Sequence, residues 1–430
     1  MNKWLYIAVE VALRELDAKI LLALEAANKG YNVLLGSSRN IDKIYNTLPK
    51  GVLFFKDCAV YNKNKFKKMK KYGHYIAVLD EEAFIPLDLE SFISHRVKGE
   101  VLKEIELYFC WGKNHKKIVK PIIDEINPTL KISITGHPRM DLLKKDFRKV
   151  QKNSNLILIN TMFGSYNYKF GKNKYIENLK RLGVITNKEK EKYFLNLMSY
   201  EENLFNEYIN LLKKLSKTFK NYHFIIRPHP TENIQTWEKI FYNYENIEVK
   251  QENTVNYWIE KSLFVIHTNC TTGIETFLMD KIPIAFVPIE NKNYEIKLPN
   301  QLSLTAKNFD DIANYISLFE KNKLEEIFNR NEKKEILRDY LANIDFFAYE
   351  KIIDEIEKIS ISNQKYNLKH KLKLKLLNLT ILFKKKYINT KFNVDKNQLL
   401  QRLQRFNKQF DLKQFEISNF YNEIFLIRKK

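Results

Sequence analysis

Cysteine is scarce in this chain: Cys58, Cys110 and Cys270 are three in 430 residues, scattered without the spacing of a metal knuckle or a disulfide framework. Neither a structural zinc site nor a stapled secreted scaffold is indicated. Long apolar runs are missing too. No stretch approaches the ~18 residues of a membrane span, and Glu10, Arg14 and Glu15 interrupt the first apolar segment too early for a secretory leader. The expectation is a cytoplasmic protein. Negative charge is in short supply, with 51 Asp and Glu against 73 Lys and Arg, a net charge of +22. The excess is uneven: residues 361–430 hold 17 Lys or Arg and 4 Asp or Glu, a surplus of +13 that leaves +9 for the first 360. With the surplus in the tail and no recognised RNA or DNA motif, nucleic-acid binding is the weakest reading. No DxD-like or His/Asp metal cluster occurs, so no metal and no cofactor is expected.

What is present is an alternation of short apolar runs and amphipathic segments. Strands are predicted over 3–9, 32–35, 52–55, 75–79, 107–111 and 131–135, with helices over 14–29, 64–72 and 113–126. That βαβ rhythm implies a doubly wound parallel sheet. The polar stretch 144–155 reads as a linker, after which the rhythm resumes at 156–159. The expected architecture is α/β, with two Rossmann-like domains (1–145 and 155–360, the second including closing helices) facing a cleft, and a basic helical tail over 361–430. Residues 167–201 are poorly periodic and read as an irregular excursion. Gly36-Ser37-Ser38 is a small-residue turn that caps a helix or admits a ligand.

The most informative stretch is 223–286. Its strand over 223–226 ends in Arg227-Pro228-His229-Pro230, where prolines stop the strand and hold the backbone extended. About thirty-five residues later the strand 263–266 ends in His267-Thr268-Asn269-Cys270-Thr271-Thr272-Gly273, and a helix carrying Glu275 follows. A cation, an imidazole, hydroxyls and a helix start at two strand ends, read as adjacent, are chemistry for a phosphate group. A plain turn and an N-cap are the structural alternatives. His267, one residue past its strand, reads as a structural hydrogen-bonding histidine.

In the first domain the strand 75–79 delivers Asp80-Glu81-Glu82. Clustered carboxylates at a buried strand end favour a raised pKa and acid or base work, although a solvated helix start is the alternative. A second His-Pro, in Gly136-His137-Pro138-Arg139-Met140-Asp141, serves either the cleft or a turn. In the tail, lysines flank an apolar centre over 376–383, too short to span a bilayer but suited to lying on an anionic surface, or to packing as an appended hairpin.

Taken together, RPHPTENIQTWEK, HTNCTTGIETFLMDKIPIAF, LPNQLS, the 55–58, 79–82 and 111–112 segments and GHPRMD resemble the bacterial surface carbohydrate biosynthesis protein family. The likeness covers roughly residues 10–305. More broadly the pattern is similar to sialyltransferase-like GT-B enzymes that use CMP-activated sugars. That resemblance implies a metal-independent glycosyltransferase with a nucleotide-sugar donor, a CMP-activated nonulosonic or Kdo-type acid among the candidates, and a glycan or lipid-linked glycan acceptor. It implies a carboxylate of Asp80, Glu81 or Glu82 as the base and His229 on the donor phosphate. It also implies Thr271 and Thr272 as the hydroxyl pair, with Arg227, Asn269, Gly273, Glu275, His137 and Arg139 as further binding residues. Ala83 stands where the family's acidic motif has glycine, which leaves open which carboxylate acts. A polyol-phosphate transferase and a nucleotide-sugar epimerase are alternatives within the same fold.

Overall fold

The computed structural model describes residues 3–85, 89–97, 99–148, 155–361, 363–382 and 392–430. The chain divides into two compact units, Met1–Arg148 with Arg338–Lys430, and Lys149–Leu337. In the first, strands β1 (Lys3–Val9), β2 (Tyr31–Ser37), β3 (Val52–Phe55), β4 (Tyr75–Leu79), β5 (Leu107–Cys110) and β6 (Lys131–Ile134) pair in parallel in the order β2-β1-β3-β4-β5-β6. In the second, β7 (Leu156–Asn160), β8 (His223–Arg227), β9 (Ile247–Val249), β10 (Val265–His267), β11 (Pro283–Phe286) and β12 (Leu304–Ala306) form a parallel sheet ordered β12-β11-β10-β7-β8-β9. Most central strands are buried throughout, as VLFF and PIAF are wholly so and LILIN nearly so. Helices cover both faces of such sheets, which is why these strands read as continuous apolar runs.

Four expectations need correction. Residues 338–360, expected in the second domain as closing helices of which those around 348–359 are open to crossing back onto the first, belong with the first unit: helix Ala348–Glu357 packs on helix Ala12–Asn28, and Lys29 pairs with Asp354 and Glu357. The reason lies in two glycines. A Cβ on Gly112 would sit 2.3 Å from the Tyr340 carbonyl oxygen, and one on Gly136 (φ +73°) 2.0 Å from Asn343 Oδ1, so only glycine lets the returning chain in. Asn343 then accepts from the His137 N–H and donates to the Asp141 carboxylate, fastening the return.

The tail is not all helical. After helices Leu368–Leu382 and Lys396–Gln404 it forms a hairpin, β13 (Phe415–Tyr421) and β14 (Ile424–Lys429), and β14 adds antiparallel to β2. The short apolar run 424–427, buried at three of its four positions, is a strand signal that the lysine surplus masks. Gly36 faces that hairpin, its missing Cβ 2.2 Å from the Glu423 carbonyl, and Ser38 opens the helix Ser38–Ile44, the capping alternative read for this turn. Residues 167–201 are largely helical, in Lys172–Arg181 and the first part of the 31-residue helix Lys188–Thr218. Their exposed, lysine-rich faces blur the apolar period. The fourth correction is one of adjacency: β7 lies between β8 and β10, so the 229 and 271 turns stand two strand spacings apart, about 10 Å. The first strand of a doubly wound unit takes the centre of its sheet. Of the proposed apolar centre of the tail, 383 and the side chains from 378 lie outside the described residues.

Candidate functional site

Two clusters sit at carboxyl ends of parallel strands, one in each unit. In the first unit, β4 delivers Asp80 and Glu81 into the interior and Glu82 to a half-exposed position. Arg96 answers Asp80, with Nη1 2.9 and 3.0 Å from its two oxygens, and holds Glu82 at 2.6 Å through Nη2. Burial pushes the Asp80 carboxyl up to about 6 even though Arg96 and the Glu82 N–H oppose it. Glu81 lies among Lys19 (4.0 Å), Arg139 (3.7 Å) and His137 (3.3 Å). Burial raises its pKa, but the surrounding donors and cations outweigh burial and keep it ionised.

His137 caps the helix Pro138–Asp141: its Nδ1 accepts from the Arg139 N–H, which places the ring proton on Nε2, facing Glu81 Oε2. Trp111 stacks on the imidazole at 4.2 Å and donates through Nε1 to the Asp80 carbonyl. Burial holds the imidazole below its ordinary pKa, with Glu81 pulling the other way, so we take it as neutral, donating toward an ionised carboxylate. The second His-Pro is therefore both turn and cluster member. Sequence reasoning missed the buried ion pair beneath them, Glu15 and Lys19 at 2.7 Å. Its signal was two charges four residues apart on the otherwise apolar face of helix Ala12–Asn28.

In the second unit, β8 ends at Arg227 and the turn Pro228–Pro230 presents His229. Thr231 donates from its N–H to His229 Nδ1, which also lies 2.7 Å from the Thr231 hydroxyl. The ring proton is thereby placed on Nε2, which has no hydrogen-bond partner among the described residues. Burial and the charge of Arg227 both lower the His229 pKa. Arg227 donates to the Asn253 carbonyl through Nη2, while its buried Nε has no partner among the described residues. Two carboxylates absent from the sequence reading support this turn. Glu232 accepts from the Thr161 hydroxyl, the His229 N–H and Trp237 Nε1, joining the ends of β7 and β8. Glu201 accepts from the N–H groups of Ser165 and Tyr166, and burial pushes it up to about 7. Glu232 stands inside PTENIQ, where no local pattern marks a carboxylate as buried; Glu201, inside a long charged helix, gave no signal.

After β10, Asn269 takes a left-handed conformation (φ 42°) and its Oδ1 accepts from Asn300. Thr271 is exposed, whereas Thr272 is buried with its hydroxyl 3.1 Å from Cys270 Sγ. The expected pair is therefore split between an exposed and a buried residue. Gly273 is required by packing, since a Cβ there would lie 2.5 Å from His267 Nε2. His267, which also meets Ser303 Oγ at 2.8 Å, is the structural histidine expected. Glu275 lies within electrostatic reach of Arg227, opposing the lowering of its pKa by burial; the two turns therefore share one field across β7.

Arg227 and His229 thus stand at the end of β8, next to the central β7 of a six-stranded parallel sheet, and the other unit holds a parallel sheet of its own. A structure described as a putative UDP-N-acetylglucosamine 2-epimerase from Listeria monocytogenes is 12% identical, with 85% of this chain and 98% of its own matched at a TM-score of 0.51. Another UDP-N-acetylglucosamine 2-epimerase is 10% identical, over 85% of this chain and all of its own, at 0.50. The fold is of the GT-B type. No protein-family model and no curated protein sequence matches the chain, so the likeness is one of fold, and the GT-B assignment rests on strand order and chain coverage.

Proposed function

We propose that the chain is a glycosyltransferase of surface-polysaccharide synthesis that uses a nucleotide sugar. The observation that carries this is His229, whose tautomer is fixed with an open Nε2–H beside Arg227. As the sugar–oxygen bond breaks, negative charge gathers on the departing phosphate, and fixed donors at that point stabilise it. Arg227, His229 Nε2–H and the Thr271 hydroxyl take that charge. Glu275, an acceptor-only carboxylate at the same turn, suits a ribose diol, while Asn269, Thr272 and Gly273 shape the turn. Among the three acidic residues Asp80 suits the general base: with a pKa pushed up to about 6 it is ionised at pH 7 yet basic enough to take a hydroxyl proton. Glu81, Glu82, His137 and Arg139 hold its surroundings.

A nucleotide-sugar 2-epimerase is the second reading, favoured by the names of the fold relatives and by the neutral His137 set against Glu81. Incubation with CMP- and UDP-sugars, with and without glycan acceptors and with EDTA, separates these. Acceptor-dependent nucleotide release that survives EDTA supports the transferase; an epimerised nucleotide sugar formed without acceptor supports the second reading, and neither product refutes both.

We also place the protein at an anionic membrane surface. Leu368, Leu372 and Leu376, one helical turn apart, are 70, 51 and 63% exposed, and Lys369, Lys371, Lys373 and Lys375 flank them. Each lysine near such a surface contributes about 1 kcal/mol, and the leucines suit shallow insertion. No helix among the described residues is long and apolar enough to cross a membrane.

A further inference from the structure

In the first unit a cavity of about 410 Å³ opens where β1, β2 and β3 end. That volume lies within the range of small-ligand sites, and nothing assigned above uses it. Its wall from helix Ser38–Ile44 carries Arg39 and Lys43 one turn apart. Burial lowers the Lys43 pKa, Arg39 lowers it further, and Glu423 opposes both. Like charges gathered on one wall of a cavity attract an anion.

Lys43 also donates to Asn40 Oδ1 at 3.3 Å. Lys56 is shared between Glu10 (2.8 Å) and Asp57 (3.6 Å), and Asp57 also accepts from Asn62. Asp42 is different. Its Oδ2 meets Lys65 at 3.3 Å, while its buried Oδ1 has no hydrogen-bond partner among the described residues. A buried acceptor left open needs an explanation, and a ligand hydroxyl supplies one. At the rim Tyr61 is 76% exposed, an aromatic face of the kind on which the apolar side of a sugar ring packs.

We propose that this cavity binds an anionic saccharide as acceptor, its carboxylate or phosphate between Arg39 and Lys43, its hydroxyls on Asp42 Oδ1 and a ring against Tyr61. The word acceptor rests on the transferase reading; the binding does not. The test is calorimetry and saturation-transfer NMR on the full chain without nucleotide, using a hyaluronan tetrasaccharide, glucose 6-phosphate and neutral chitotetraose. At least one anionic probe should bind at least tenfold more tightly than chitotetraose, the preferred one distinguishing uronate from phosphate. Arg39→Gln with Lys43→Gln should cost that probe at least tenfold while the melting curve stays unchanged. Should the double variant unfold, Tyr61→Ala, at an exposed position, should weaken the probe instead. Equal binding of neutral and anionic probes, no binding of either anion, or unchanged affinity in the folded variants overturns the proposal. If anions bind as expected but no nucleotide sugar is turned over, the transferase reading falls and the saccharide site stands. If turnover is found with an unchanged acceptor KM in the double variant, the site falls and the transferase stands.

Discussion

The acidic cluster after β4 and the imidazole turn after β8 each lie at the carboxyl end of a parallel strand in their own unit, yet they are wired differently. Around Asp80 and Glu81, cations arrive from three separate places in the chain (Lys19, Arg96 and Arg139), with the neutral His137 ring 3.3 Å from Glu81, so the protein itself answers the buried charge. Around His229 the protein satisfies the ring Nδ1 through Thr231 and the backbone N–H through Glu232, and leaves Nε2 and the Arg227 Nε unanswered among the described residues. Buried ions that balance one another hold a structure in one conformation, and breaking them costs stability. Donors held rigid with an open end are prepared for a ligand, and removing them costs function.

The largest expected effect tests the first half of that contrast. Arg96→Leu leaves Asp80 buried without its cation, which should destabilise the first unit by about 3–5 kcal/mol at pH 7.5. The loss should shrink at pH 5, where Asp80, already raised to about 6, takes up a proton. Urea unfolding at both values measures it, and an equal loss at both would mean that Asp80 carries no charge to lose. On the other side, His229→Ala should raise the reaction barrier by about 2.7–4 kcal/mol, a hundredfold or more in turnover, and change unfolding free energy by less than about 1 kcal/mol. A variant that unfolds instead would place His229 with the structural residues, beside His267.

Glu201 sharpens the comparison through pH. Its carboxyl titrates near 7 in the fold against an ordinary 4.5 because burial favours the protonated form. Its contribution to stability is therefore full below about 4.5 and is lost as pH rises through 7, on the order of 3 kcal/mol over that window. Glu201→Gln should flatten the pH dependence of unfolding between 4.5 and 7; an unchanged slope would assign it to another group. The smallest effect is expected on the tail helix. Replacing Leu368, Leu372 and Leu376 by Glu should move stability by no more than about 0.5 kcal/mol, while abolishing flotation with anionic vesicles at low salt. Truncation at 361 is a poorer test, because it also strips β14 from β2.

How far the sequence was legible follows from the same physics. Strands 52–55 and 75–79 and the helix 113–126 were readable to the residue because parallel strands bury both faces and Gly112 marks a start. The strand-end residues Asp80, His137, Arg227 and His229 were readable for the same reason: punctuation follows apolar runs. What the sequence did not disclose was long-range. Nothing local says that Gly112 and Gly136 make room for residues 339–343, that β7 separates the two turns, or that a lysine-rich tail ends in a hairpin that extends the sheet. Glu201 and Asp42 were illegible because a buried carboxylate on a charged helix looks like any solvated one until its neighbours are known. Thr272 shows the converse, a hydroxyl that reads as ligand-facing and is turned inward onto Cys270.

The central claim is that Arg227 and His229 form a rigid donor pair for a nucleotide phosphate. Calorimetric titration of the full chain with CMP and with UDP, repeated on His229→Ala and on Arg227→Leu, tests it most directly. The account predicts saturable binding of at least one of the two nucleotides, weakened at least tenfold in each variant while the melting temperature moves little. Absence of binding by both nucleotides, or binding that both variants leave unchanged, would contradict it.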